Sequence, residues 1–130
     1  MAIDEYFDRV RRHYDLEEIE LRDTALPQLA AAFEKRTPPA VHRVALDARG
    51  TSRTSEEFAQ WLGRNIAQGK GAVAFFLGGP DGLPPTIVER AHEMLSLSKM
   101  TFSHRLARLV LAEQLYRATA ILHHEPYARI

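Results

Sequence analysis

One short apolar run constrains the fold of this chain more than any other feature of its sequence. Residues Ala72 to Leu77 read AVAFFL, carry no polar side chain, and lie between Gly71 and Gly78. A run of this length suits a strand, and a strand without polar positions needs cover on both of its faces. Such strands occur in parallel sheets that have helices packed on each side. The run therefore favours an α/β domain.

Helical and strand patterns alternate along the rest of the chain, with short polar joints between them. Thr54 and Glu57 form a capping box that opens one helix, whose buried stripe includes Phe58 and Trp61. The alternation predicts a single α/β domain over residues 1–130, with a mainly parallel sheet and helices on both faces. The predicted strands cover residues 16–22, 41–47, 72–77 and 94–98, and the predicted helices begin near Ile3, Thr24, Thr54, Pro84 and His104.

Composition excludes some classes of site and leaves others open. The chain has no cysteine, which excludes disulfides, thiolate metal sites and cysteine nucleophiles. No apolar run approaches the roughly 20 residues that span a bilayer. The formal net charge is zero, so overall charge gives no support to nucleic-acid binding. After Lys99, however, basic residues outnumber acidic ones, which predicts either a local phosphate-binding patch or an ordinary solvated helix surface.

Three predicted strands end in segments that suit a small-molecule ligand. These segments are residues 46–50 (LDARG), 77–82 (LGGPDG) and 97–102 (LSKMTF). Because ligands of open α/β sheets bind beyond the carboxyl ends of the strands, we expect the three segments to converge there. The glycines allow a ligand to approach the backbone closely, and the Met and Phe of the third segment suit a flat adenine ring. As bare patterns, a glycine turn and a strand-to-helix loop are also typical of ordinary connections.

These three segments occur in the same order in a known enzyme family. Together with an AEQLYRA sequence in the last helix, they give the chain a close resemblance to the RlmH family of SPOUT methyltransferases, from residue 41 to the C-terminus and more loosely over residues 4–21. The combination of SLSKMTF with AEQLYRA is highly specific. The motifs are LDARG (46–50), LGGPDGL (77–83), LSLSKMTFSH (95–104), RLVLAEQLYRA (108–118) and EPYAR (125–129).

The resemblance implies both a fold and an activity. The implied fold is the SPOUT-like α/β knot, in which the C-terminal part of the chain passes through a loop to form a trefoil knot. The implied protein is a cytoplasmic homodimer that binds S-adenosyl-L-methionine in the knot, needs no metal and associates with no membrane. The implied reaction is N3-methylation of a pseudouridine in 23S rRNA within the assembled ribosome.

The resemblance also assigns roles to individual residues. His104, Arg108 and Arg129 are the candidate catalytic residues, through proton uptake or stabilisation of a developing anion. Arg105, Tyr127 and Arg129 are the candidate substrate contacts. For His104, a hydrogen bond to backbone is the structural alternative, and Arg117 is expected to pair with Glu113. The implied cofactor contacts are Leu46, Gly78, Gly79, Leu97, Ser98, Lys99, Met100, Thr101 and Phe102.

Three departures from the family pattern carry expectations of their own. The family begins with an apolar strand that this sequence lacks, so we expect a gap or an exposed edge in the sheet. Ser103 stands where the family usually has proline, and Ala128 where a histidine is usual. Two alternatives remain open at this point: a SPOUT methyltransferase for another RNA, and a non-catalytic RNA- or ribosome-binding remnant.

Overall fold

The computed structural model describes residues 2–68 and 72–127, in which helices and strands alternate as the sequence predicts. None of the described helices combines the length and apolar character that crossing a membrane requires. The helices are α1 (Ala2–Val10), α2 (Leu26–Arg36), α3 (Ser55–Gln68), α4 (Pro85–Arg90) and α5 (His104–Leu122), and the strands are β1 (His42–Ser52), β2 (Val73–Phe76) and β3 (Glu93–Ser96).

The strands form one parallel sheet in the order β2-β1-β3. β1 is the central strand, and its residue Val44 is fully buried. The pairing of Val44 with Phe75 on one side and with Glu93 on the other defines the register. The predicted parallel α/β architecture is therefore confirmed.

Helices cover both faces of this sheet, as adjacent residues of β2 show. Successive side chains of a strand point to opposite faces. The Phe75 ring lies 6.0 Å from the Trp61 ring of α3, whereas the Phe76 ring lies 5.2 Å from the Phe33 ring of α2. α1 and α5 extend the α3 layer, and α4 extends the α2 layer.

The capping box at the start of α3 forms as predicted. The Thr54 backbone N–H donates to Glu57 Oε1 at 2.8 Å, and the Glu57 N–H donates to Thr54 Oγ1 at 3.0 Å. These bonds satisfy two N–H groups that the helix itself leaves without acceptors. They set the direction in which α3 leaves the sheet, and they place Phe58 and Trp61 in the core.

A charged network closes the edge of the sheet where the strands begin. Glu93, the first residue of β3, accepts hydrogen bonds from the Trp61 indole N–H at 3.0 Å and from His42 Nε2 at 2.5 Å. Arg53 lies 3.5 Å from the same carboxylate. Burial raises the pKa of the Glu93 carboxyl. The hydrogen bonds from His42 and Trp61 and the charge of Arg53 lower this pKa by a larger amount, so it lies below its ordinary value. The network fixes α3 to the start of β3.

One predicted strand does not form. Residues 16–22 are irregular, and the described part of the chain offers them no partner strand. A strand is stable only when its backbone N–H and C=O groups find a neighbour. Glu18 is exposed, as predicted, and pairs with Arg108 of α5. An ion pair between side chains, and not a ladder of backbone hydrogen bonds, links this segment to α5.

One further strand prediction needs correction in its length. β1 does not end at Asp47 but continues to Ser52, with an irregularity between Leu46 and Thr51. β2 lies at the edge of the described sheet, and both of its faces are covered, as its apolar composition predicts. Its outer backbone groups have no ladder partner among the described residues.

Candidate functional site

The three segments that follow the strands converge on one cleft. The cleft has a volume of about 970 Å³ and opens at the carboxyl edge of the sheet. Ligand sites of drug-sized molecules fall in the range of about 300–1,000 Å³. Its walls come from β1, from the segment after β2, from α4, and from the segment that joins β3 to α5. The lining residues are Leu46, Asp47, Ala48, Arg49, Leu77, Gly78, Gly79, Pro80, Gly82, Leu83, Pro85, Val88, Glu89, Leu97, Ser98, Met100, Thr101, Phe102, Ser103, His104 and Ala107.

The glycine turn after β2 depends on two of its glycines. Gly82 has a φ of +77°, a conformation that glycine adopts without steric cost. A Cβ on Gly78 would lie 2.6 Å from the carbonyl carbon of Gly82 and 2.7 Å from the amide nitrogen of Leu83. The turn is closed by a hydrogen bond from the Gly82 N–H to the Gly79 carbonyl at 3.0 Å. Gly78 therefore has to be glycine for the turn to close on itself.

The segment after β3 is shaped by its own serines. Ser96 Oγ donates to the Ser98 carbonyl at 2.9 Å, and Ser98 Oγ accepts from the Met100 N–H at 3.0 Å. These local bonds hold an irregular segment in one conformation. Met100 is 76% exposed and Phe102 is half-buried, and both line the cleft. Lys99, a predicted cofactor contact, is exposed and does not belong to the lining.

His104 joins two walls of the cleft. Its Nδ1 lies 2.8 Å from the carbonyl oxygen of Gly78. Because a carbonyl only accepts, Nδ1 carries the hydrogen, and a neutral His104 then presents Nε2 as an acceptor. The backbone bond weighed in the sequence analysis is thus present, and it leaves one ring nitrogen for proton transfer. Ser103 caps α5 by accepting from the Leu106 N–H at 3.3 Å, which gives a role to one departure from the family pattern.

Arg108 lies on α5 but outside the lining of the cleft. Its Nε and Nη2 bond the two carboxylate oxygens of Glu18 at 2.5 and 2.6 Å. Glu18 raises the pKa of Arg108 through these bonds. In this structure Glu18, in the segment that precedes α2, binds the guanidinium that was predicted to stabilise an anion. Arg105 is exposed near the start of the same helix and also lies outside the lining.

Tyr127 is held against α5 and does not lie free on the substrate side. Its hydroxyl donates to Glu113, and the Arg117 guanidinium lies 4.0 Å from the centre of its ring. Burial and the hydrogen bond to Glu113 raise the pKa of Tyr127 to about 12. Arg117 also pairs with Glu113 at 2.8 Å, as the sequence predicted. Arg129 and Ala128 lie outside the described residues, so the roles predicted there stay predictions.

Sequence reasoning missed part of the site. Pro85, Val88 and Glu89 of α4 form a wall that no motif indicated. The position of α4 in the sequence could have indicated this wall, because the helix begins a few residues after the glycine turn and its first residues therefore lie beside the cleft. Asp47 and Arg49 were known only as letters of a motif, yet both line the cleft. Among the described residues, no cluster of three or more His, Asp or Glu side chains could hold a metal ion.

Comparisons with known proteins agree with the motif-based reading. A family described as "Predicted SPOUT methyltransferase" matches residues 1–128 of this chain. Proteins named "Ribosomal RNA large subunit methyltransferase H" are similar over nearly its whole length. The one from Sorangium cellulosum is 46% identical over 127 residues, covering 98% of this chain and 87% of the relative. Those from Anaeromyxobacter sp. and Exiguobacterium sibiricum are 42% and 38% identical, each covering 97% of this chain and 87% of the relative.

Proposed function

This chain belongs to the RlmH family of SPOUT methyltransferases, and from that premise we propose that it methylates large-subunit ribosomal RNA. The donor is S-adenosyl-L-methionine, and the acceptor is N3 of a pseudouridine in 23S rRNA within the ribosome. The methyl transfer would then take place in the cytoplasm, where ribosomes are located. The observation that carries the proposal is the convergence of the three motif segments on one cleft.

The residues of the cleft fit S-adenosyl-L-methionine. Leu46, Leu97, Met100 and Phe102 offer apolar contacts for an adenine ring, and the glycine turn at Gly78 brings backbone donors and acceptors within reach of a ribose. When bound, the cofactor supplies a methyl group that its sulfonium already makes electrophilic, so the chemistry needs no metal. The protein has to hold donor and acceptor in line, and such positioning can lower a barrier by about 7–11 kcal/mol.

His104 is the residue best placed to manage the proton of the acceptor. The N3 of a uracil-like ring is protonated at neutral pH, and that proton must leave as the methyl group arrives. His104 lines the cleft and presents Nε2 as an acceptor, because Nδ1 is committed to Gly78. We therefore assign His104 the role of general base, with a contribution of about 10²–10⁴-fold expected from the general case.

Arg105, Arg108 and Tyr127 lie outside the lining of the cleft. Arg108 gives Nε and Nη2 to Glu18, and the Tyr127 hydroxyl donates to Glu113, so a substrate would meet both residues from outside the cleft. Arg105 is exposed at the start of α5, where it would meet RNA phosphates. In a homodimer, Arg129 and Tyr127 of one subunit would serve the site of the other.

A homodimer is part of the proposal. Leu106 and Leu109 lie three residues apart on α5, 44% and 37% exposed, and Met100 stands beside the start of the helix. Large apolar side chains grouped in this way mark surfaces that are covered by a partner. Leu115 of the same helix is buried within the subunit and is not part of this surface. Light scattering should return about twice the 14.7 kDa of one chain, and a monomer at micromolar concentration would refute the dimer.

Two measurements test the proposed function. Isothermal titration with S-adenosyl-L-methionine should show one site per chain, and S-adenosyl-L-methionine with a labelled methyl group should label the large subunit of assembled ribosomes from cells that lack this modification. Cofactor binding with transfer only to a different RNA would assign another target. Cofactor binding without transfer to any RNA would identify a non-catalytic remnant, and an absence of cofactor binding would overturn the proposal.

A further inference from the structure

We propose that Arg49 contacts a phosphate group of the RNA substrate, and that the bulge of β1 together with Asp47 holds it at the mouth of the cleft for that purpose. The proposal rests on the proposed function, because it takes the cleft to be the place where an RNA is modified. It adds a binding residue, Arg49, and a positioning residue, Asp47, to the candidate site.

The bulge is the irregularity of β1 at residues 47–50, which do not pair with β3. Leu46 and Thr51 both pair with Leu95, so the chain between them leaves the ladder and returns to the same partner. Gly50 permits the return, because a Cβ there would lie 2.6 Å from the backbone carbon and oxygen of Met94. Bulges re-aim side chains and are frequent beside active sites. Here the bulge puts Asp47 and Arg49 on the wall of the cleft.

Asp47 fixes the direction of the Arg49 side chain. Asp47 Oδ1 accepts from the Arg49 backbone N–H at 2.8 Å and from Nε at 3.0 Å, and Oδ2 accepts from Nη2 at 2.8 Å. The bonds from the Arg49 side chain and backbone lower the pKa of Asp47 to about 2. The Asp47 carboxylate therefore stays charged throughout the neutral range, where it can accept these bonds from Arg49.

The Arg49 guanidinium, although bound by Asp47, still has N–H groups that can donate to another acceptor. A guanidinium carries more N–H groups than this carboxylate uses, and 76% of the Arg49 side chain is exposed. Its fork geometry suits the oxygens of a phosphate. An exposed ion pair contributes little to the free energy of unfolding. The three bonds between Asp47 and the exposed Arg49 are therefore better explained as orienting the Arg49 side chain than as stabilising the fold. Exposure at the rim favours a phosphate of the large substrate over an anionic group of a cofactor lying inside the cleft.

The test compares four proteins: the unaltered chain, Arg49→Ala, Asp47→Asn and, as control, Arg64→Ala. Arg64 is exposed on α3 and does not line the cleft. Each protein is titrated with S-adenosyl-L-methionine by calorimetry. Each is also bound to large ribosomal subunits, measured by co-sedimentation over a range of KCl at constant magnesium, and the KM for methyl transfer to those subunits is determined.

Arg49→Ala should bind subunits about tenfold more weakly, with a matching rise in KM and an unchanged cofactor affinity. Its plot of log affinity against log salt should be less steep by about 0.7–0.9, the loss of one phosphate contact. Arg64→Ala should change none of these quantities. Asp47→Asn separates position from charge, because it removes the negative charge and the Oδ2 bond to Nη2. Removing the charge alone would strengthen RNA binding, whereas loss of the fixed Arg49 direction should weaken it and make the salt dependence less steep, as in Arg49→Ala.

Several results would overturn the proposal. Unchanged subunit affinity and salt dependence in Arg49→Ala would mean that the residue is an ordinary surface arginine. A loss of cofactor affinity alone would move Arg49 to the cofactor site, and tighter RNA binding by Asp47→Asn would remove the positioning role. An unaltered chain that transfers no methyl group would contradict the proposed function, but the salt dependence of subunit binding would still decide the role of Arg49.

Discussion

Replacing Gly78 with alanine should damage the cofactor site far more than the same change at its neighbour Gly79. A methyl group on Gly78 would lie 2.6 Å from the carbonyl carbon of Gly82, 2.7 Å from the nitrogen of Leu83 and 2.9 Å from the Cα of Gly82. All three are backbone atoms, so no side-chain rotation relieves the contact. The glycine turn has to open.

The cost of opening follows from the size of the overlap. Ordinary contacts of a Cβ lie at 3.4–4 Å, and here three backbone atoms lie below 3.0 Å. Overpacking of this kind costs about 1–3 kcal/mol. If the bound cofactor needs the closed turn, that cost is taken from the binding free energy, and the affinity falls by about 5- to 150-fold. The opened turn would also move the Gly78 carbonyl away from His104.

Gly79→Ala is the matched control. A methyl group on Gly79 would meet only Asp23 Oδ1 at 3.8 Å, an ordinary van der Waals contact. The protein without ligand should therefore accept this change. A loss of cofactor affinity in Gly79→Ala as large as that in Gly78→Ala would contradict the argument, because Gly79→Ala leaves the turn closed.

Isothermal titration with S-adenosyl-L-methionine measures both affinities, and thermal unfolding monitors the fold. Gly78→Ala should unfold cooperatively with a lowered Tm and bind weakly or not at all. Cofactor affinity in Gly78→Ala equal to that of the unaltered chain would refute the argument, because it would show that binding does not use the closed turn.

The remaining predictions concern the base and the Glu93 network. His104→Ala and His104→Asn should both lower kcat by about 10²–10⁴-fold, but only the asparagine, whose amide can replace the bond to Gly78, should keep cofactor affinity; equal kcat in all three proteins would exclude the base. Glu93→Ala leaves the Trp61 indole N–H without its acceptor and should lower the free energy of unfolding in urea by about 1–3 kcal/mol, whereas Glu93→Gln, which keeps an acceptor, should lose less. The pKa of Glu93 is lowered in the folded state, so its contribution is present above the ordinary glutamate pKa and fades as the pH falls below it; identical acid unfolding in Glu93→Gln would contradict this assignment.

Local patterns predicted the helices and the site loops well, because the forces that specify them act within a few residues. The capping box of Thr54 and Glu57 forms as expected, and α5 begins at the predicted His104. The site loops were also predictable, since parallel strands bring their carboxyl ends to one edge whatever the sequence between them. The cleft lined by Leu46, Gly78 and Leu97 follows from that rule.

Contacts between distant residues could not be read from the chain. The pattern of residues 16–22 suits a strand, yet a strand needs a neighbour, and the described sheet offers this segment none. The pairing of Glu18 with Arg108 spans 90 residues, and no periodicity links the two positions. A residue expected to act on substrate is thereby engaged in holding a segment to α5.

The sequence by itself determined the alternation of elements, the parallel sheet and the family, because apolar periodicity, helix caps and motif letters are local properties. Only the tertiary structure decided where β1 ends, where its bulge lies, and which side chains line the cleft. Gly50 lies against the backbone of Met94, and Asp47 closes on Arg49 after the chain leaves the ladder. Those positions depend on the close packing of segments far apart in the chain, where a shift of less than an ångström changes which conformations are allowed.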